Sequence, residues 1–187
     1  LPLSLFGSRS LSTPIDQELA IADSNSKPLS AALKDIFFPI YVALSTIPPI
    51  MMTATLYFQM HIFTSKGWST DTITVALFFY ASFKFLNTLI IGPLIDRFGI
   101  VFPLFFLNFC IGLGTLCLSI NSTAYIGLLS YSLYGLGLGA SAATMSYLWA
   151  RLYGTYYIGE IKGAIGIIRN GATAIAPLGF SIFIYQW

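Results

Sequence analysis

Residues 124–149 read AYIGLLSYSLYGLGLGASAATMSYLW, twenty-six positions without one charge. Wound as an α-helix, this run is about 39 Å long, more than the roughly 30 Å hydrocarbon core of a bilayer. It does not alternate polar and apolar residues as a barrel strand does. Four further runs have the same character, at about 36–63, 72–91, 100–120 and 162–186, each bounded by charged or turn residues. The sequence therefore predicts an all-α membrane protein with five transmembrane helices. Pro48 and Pro49 in the first span and Pro177 in the fifth remove backbone hydrogen bonds and are expected to bend their helices.

Composition agrees. Of 187 residues, 56% are hydrophobic and 9% charged, and the mean hydropathy is +0.79. Soluble domains carry about 25% charged residues on their surfaces, so a water-soluble enzyme, a disordered chain and a nucleic-acid binder are all excluded. Cys110 and Cys117 lie within one apolar run and read as small buried hydrophobes, not as a disulfide framework. Residues 1–35 contain seven charged residues and no spanning run, and they lack the layout of a signal peptide. They read as a cytoplasmic loop segment, with residues 36–187 as a transmembrane bundle. A chain that starts with Leu1 and stops at Trp187, directly after an apolar stretch, is expected to be a piece of something longer.

Basic loop residues set orientation. With the N-terminus inside, Arg9, Lys27, Lys34, Arg97, Arg151 and Lys162 fall on the cytoplasmic side and Lys66 alone outside. The sequon Asn121-Ser-Thr then falls in an outer loop of only a few residues, and is read as an unused match. The expected location is the plasma membrane or a bacterial inner membrane.

Two cations fit no loop. Lys84 stands eight residues before Gly92 and Arg169 seven after Lys162, which puts each roughly 10–12 Å inside the cytoplasmic end of its span. Such a charge costs about 2.5–3.5 kcal/mol on insertion scales and marks a site unless it snorkels or finds a carboxylate. No Asp or Glu lies deep in any of the five spans. The functional reading is a water-filled cavity that binds an anion.

Helical spacing supports a polar lining. Tyr80, Lys84 and Asn87 are expected to share one face of the second span, and Gly166, Arg169 and Thr173 one face of the fifth. Ser130, Tyr134, Gly137, Ser141 and Thr144 form a stripe on the fourth, and Thr53, Tyr57 and His61 one on the first. Gly135, Gly137 and Gly139 before Ala140, Ala142 and Ala143 make a smooth surface for close helix approach, and Gly159, Gly163 and Gly166 a second one. The G-x-G-x-G run has no strand before it, which excludes a dinucleotide fingerprint. His61 is the only histidine, and no Cys, Asp or Glu stands at ligand spacing to it. This argues against a metal or hydrolytic centre, so no enzyme activity, metal or cofactor is expected.

Gly92-Pro-Leu-Ile-Asp-Arg-Phe-Gly99, expected in the loop between the second and third spans, resembles the signature G-x-L-x-D-R-x-G of the major facilitator superfamily of transporters. By that resemblance Gly92, Asp96, Arg97 and Gly99 form a cytoplasmic gating motif. The basic residues that follow it in the family are replaced by Ile100 and Val101. Trp149-Ala-Arg-Leu-Tyr-Gly154, Gly159-Glu-Ile-Lys-Gly163 and Ala176-Pro-Leu-Gly179 are similar to the region of the tenth and eleventh helices, most of all in the monocarboxylate and oxalate/formate branch.

The resemblance implies that the chain is helices seven to eleven of a twelve-helix fold, the N-terminal half and twelfth helix being absent. It also implies that Lys84 and Arg169 lie on the eighth and eleventh helices, which hold a carboxylate in that branch. The resulting expectation is a secondary transporter, an antiporter of a small organic anion, with Lys84, Arg169, Tyr80, Asn87 and Thr173 binding the substrate. The alternative is a proton-coupled exporter of organic compounds, which needs an intramembrane carboxylate from elsewhere. A non-transporting interaction or sensor protein stands as a third reading.

Overall fold

Without water to bond to, a backbone crossing a bilayer satisfies itself as helix, and the computed structural model, which describes residues 26–120 and 123–186, is helical accordingly. The described elements are α1 (Leu29–Ala32), α2 (Phe38–Tyr57), α3 (Gln59–Ser65), α4 (Thr70–Phe98), α5 (Val101–Ile120), α6 (Ala124–Tyr153) and α7 (Ile158–Gln186). Five of them, α2, α4, α5, α6 and α7, are long and apolar enough to span a membrane. Residues 1–25 lie outside the described residues, and with them Arg9; so do Asn121 and Ser122 of the sequon.

Several boundaries differ from the sequence reading. The expected first span is interrupted at Phe58, which leaves helical geometry and separates α2 from α3. Pro48 and Pro49 stay inside α2. The expected loop 92–99 is a correction: residues 92–98 form the last two turns of α4, through Pro93, and only Gly99, at φ +72°, turns the chain. Tertiary packing overrides the local proline signal here, because Ile91 and Ile95 on those turns are buried against Leu107 of α5 and Ala140 of α6. Residues 26–35 are not a detached loop in this structure. Ala32 is buried with Phe38, Trp149, Tyr153 and Ile165. The Lys27 N–H donates to the Tyr153 carbonyl at 2.9 Å, and the Tyr153 hydroxyl to Asp35 Oδ2 at 3.2 Å.

Helix α6 is the hub, packed along α4 on one side and α5 on the other, while α7 packs mainly on α2. The glycines explain this geometry. Residues two apart on a helix point nearly opposite ways and residues four apart point the same way. Gly135 and Gly139 accordingly face α4: a Cβ on Gly135 would collide with the Tyr80 carbonyl, and one on Gly139 would stand 2.5 Å from the Lys84 carbonyl. Gly137 faces α5, 3.0 Å from the Leu107 carbonyl by the same measure. Across that interface Gly114 of α5 returns the approach toward Ser130 and Tyr134.

The basic residues Lys27, Lys34, Arg97, Arg151 and Lys162 gather at one end of the bundle and Lys66 lies toward the other. The far end is sealed by Phe63, Trp68, Tyr131 and Tyr134, with the Phe63 ring edge-on to both Trp68 and Tyr131.

Replacing Gly135 by Val should destabilise the fold by at least about 1–3 kcal/mol, since backbone cannot retreat as a side chain does. Gly112→Ala, where an added Cβ meets nothing within 4 Å, should be neutral or mildly stabilising. Thermal unfolding in detergent checks both.

Candidate functional site

The backbone crossing of α4 and α6 falls at Lys84. Gly135 lies against Tyr80 through Lys84 of α4 and Gly139 against Lys84 and Asn87. Two side chains lock the crossing. Asn87 Nδ2 donates to the Leu136 carbonyl, and Thr88 Oγ1 lies 2.8 Å from the Lys84 carbonyl and 3.1 Å from that of Gly139. Hydrogen bonds between membrane helices contribute about 0.6 kcal/mol on average, so close packing and these bonds hold the site together.

Lys84 itself is exposed. Its ammonium lies 3.5 Å from the Tyr80 hydroxyl and 5.6 Å from the Tyr80 ring centroid, so Tyr80 supplies both a polar partner and a π-face one turn away. Because α4 continues to Phe98, Lys84 is its central residue, about 21 Å from either end, deeper than the sequence reading placed it. Asn87 does not share its face. It is buried against α6 and its amide is engaged there, so its position is a correction of the expected stripe.

Arg169 lies about 16 Å along α7 from Ile158. Arg169 and Gly166 line a cavity of about 240 Å³ between α6 and α7, together with Lys162, Ser146 and Trp149. The Lys162 ammonium donates to Ser146 Oγ at 3.1 Å. The sequence puts Lys162 at the first position of the fifth span; α7 begins four residues earlier, at Ile158, and carries it in the second turn, two turns below Arg169 on the same side. The seven-residue interval was the signal. Thr173 is half-buried and its hydroxyl bonds the Asn170 carbonyl of its own helix at 3.0 Å.

Among the described residues no acidic side chain forms an ion pair with Lys84, Arg169 or Lys162, and no group of His, Cys, Asp or Glu could hold a metal. Helices α4 and α7 share no extensive contact among the described residues, and each packs on α6.

Two expected stripes are corrected. Ser130, Tyr134 and Thr144 are fully buried, and Gly137 is closed over by Ile111, so the α6 stripe is its packing face toward α5. The Tyr134 hydroxyl pairs with Thr115 Oγ1 at 3.1 Å across that interface. The stripe Thr53, Tyr57, His61 is broken by the interruption at Phe58. The second glycine surface is open: an added Cβ at Gly159, Gly163 or Gly166 meets nothing within 4 Å. Asp96 and Arg97 of the signature are exposed at the basic end, with the Arg97 guanidinium 5.5 Å from the Phe98 ring centroid. A cation in the last turn suits the negative end of the helix dipole.

Five helices long and apolar enough to span a membrane, two of them with a cation near mid-helix, define a multi-pass membrane protein. The family model described as Major Facilitator Superfamily matches residues 6–177, and the chain belongs to that superfamily of membrane transporters. No curated protein and no solved structure matches the chain.

Asn87→Ala should lower the thermal unfolding midpoint by the equivalent of about 0.6–1.7 kcal/mol, because it leaves the Leu136 carbonyl without its cross-helix donor. Lys84→Gln, at an exposed position, should leave the midpoint within the range of about 0.5 kcal/mol.

Proposed function

We propose that the chain is part of a secondary transporter that moves a small organic anion, a carboxylate, by alternating access, and exchanges one anion for another. One observation carries this reading: Lys84 and Arg169 stand deep in two spanning helices on either side of α6, with no acidic partner among the described residues. An intramembrane cation is retained at a cost of a few kcal/mol unless a ligand or counter-charge meets it. A carboxylate supplies that charge. Arg169 offers a planar fork of donors and Lys84 a point charge backed by Tyr80. Thr173 adds a hydroxyl about one turn from Arg169, whereas Asn87 acts through the position of Lys84.

In this reading the five spans are helices seven to eleven of a twelve-helix transporter, and an N-terminal half with a twelfth helix supplies the opposite wall. The open surface at Gly159, Gly163 and Gly166 supports such a partner. Rocking about a midplane site follows from the two-repeat design of such transporters. Gly92, Asp96, Arg97 and Gly99 then form a gate at the basic end, where helix α4 delivers Asp96 and Arg97 exposed. The basic end faces the cytoplasm, in a plasma membrane or bacterial inner membrane. An empty cationic site is unfavourable in the membrane, which favours exchange over one-way transport.

Counterflow uptake of labelled formate, lactate, oxalate and malate by the full-length protein in proteoliposomes tests the reading. At least one carboxylate should be taken up, and Lys84→Gln or Arg169→Gln should each lower that uptake roughly ten- to hundredfold, the loss of one charge-assisted hydrogen-bonded contact. Absence of uptake for every carboxylate, or uptake unchanged in both variants, contradicts it.

A further inference from the structure

Lys162, counted from the sequence among the cytoplasmic cations that set orientation, lines the same cavity as Arg169. Three features of that cavity point to a ligand. Its two cations project from one helix face, seven residues and about 10.5 Å of helix rise apart. Ser146 of α6 holds the Lys162 ammonium at 3.1 Å and fixes that tip toward the cavity, leaving the ammonium further donors to give. Trp149, buried and stacked on Tyr153 with the rings 16° from parallel, gives the cavity a rigid apolar wall. No acidic side chain among the described residues lines it; Glu160, the nearest acid in sequence, is not part of the lining.

Two cations separated along an apolar wall match a ligand with an anionic group at each end of a short carbon chain. We infer that the α6–α7 cavity is a second carboxylate subsite, in which Lys162 takes the distal carboxylate of a dicarboxylate whose proximal carboxylate lies on Arg169. This inference rests on the anion-transport reading and adds a substrate class to it. A monocarboxylate on Arg169 gains nothing from Lys162. A dicarboxylate gains a second charge-assisted contact, so Lys162 sets the preference between the two.

The test compares uptake of malate and lactate by the full-length protein in proteoliposomes, for the unmodified protein, Lys162→Gln and Lys162→Arg. Malate-induced quenching of tryptophan fluorescence, repeated in Trp149→Phe, reads binding independently of transport. The expected result is a KM for malate raised roughly tenfold or more in Lys162→Gln, lactate uptake unchanged, malate uptake restored in Lys162→Arg, and quenching that depends on Trp149. Unmodified protein that carries lactate but not malate, or a Lys162→Gln variant that leaves malate unaffected or weakens both substrates equally, overturns this inference alone. Absence of any carboxylate uptake by the unmodified protein overturns the anion reading and this inference with it.

Discussion

Gly135 and Gly139 of α6 lie against the backbone of α4 so closely that any side chain there would strike the Tyr80 or Lys84 carbonyl. Between helices in a bilayer there is little hydrophobic force, and association depends on dispersion at close range and on polar bonds across the contact. Close approach of two backbones therefore decides where α4 sits. Asn87 and Thr88 bond the Leu136 and Gly139 carbonyls and set the rotation of α4 about its own axis. With that rotation fixed, Lys84 is carried to the open side of the helix.

The same hub organises the remainder. Gly137, pointing opposite to Gly135, lets α5 close on α6, and the buried Tyr134–Thr115 pair completes that side. Two faces of α6 are thus consumed by packing, and the third meets α7 through Leu148, Trp149 and Tyr153 against Ile161 and Ile165, beside the cavity with Lys162 and Arg169. The two deep cations are separated by the most tightly packed helix of the bundle. Relative motion of α4 and α6 would have to break their backbone contact, whereas α7 touches α6 lightly and rests on α2. Helix α7 is the freer element of the two.

Most of the architecture was legible, because hydropathy summed over a window reports burial in lipid and needs no tertiary information. The glycine surface at 135–139 was legible too, since small residues two and four apart have a plain geometric consequence. Which neighbour covers a given face was not. Asn87 has the spacing of a cavity residue relative to Lys84, but three positions on a helix still stand about 60° apart, and Asn87 falls on the side that α6 covers. Ser130, Tyr134 and Thr144 look like a polar lining and are instead buried in packing, with Tyr134 bonded to Thr115 and Ser130 to the Ile126 carbonyl of its own helix. Residues 92–98 carry loop signals in Gly92 and Pro93, and became helix because Ile91 and Ile95 are buried by other elements. The start of α7 was misplaced for a related reason: where a helix begins outside the apolar core is decided by what it docks on.

The central claim is that Lys84 and Arg169 open onto water at mid-membrane and not onto lipid. Cysteine accessibility tests it directly. Lys84→Cys and Arg169→Cys, each in a background with Cys110 and Cys117 replaced by Ala, would be treated in membranes with a charged, membrane-impermeant thiol reagent and with a lipid-soluble one. Rapid labelling of both positions by the charged reagent is the predicted result. Labelling confined to the lipid-soluble reagent would place both side chains against the bilayer and contradict the account.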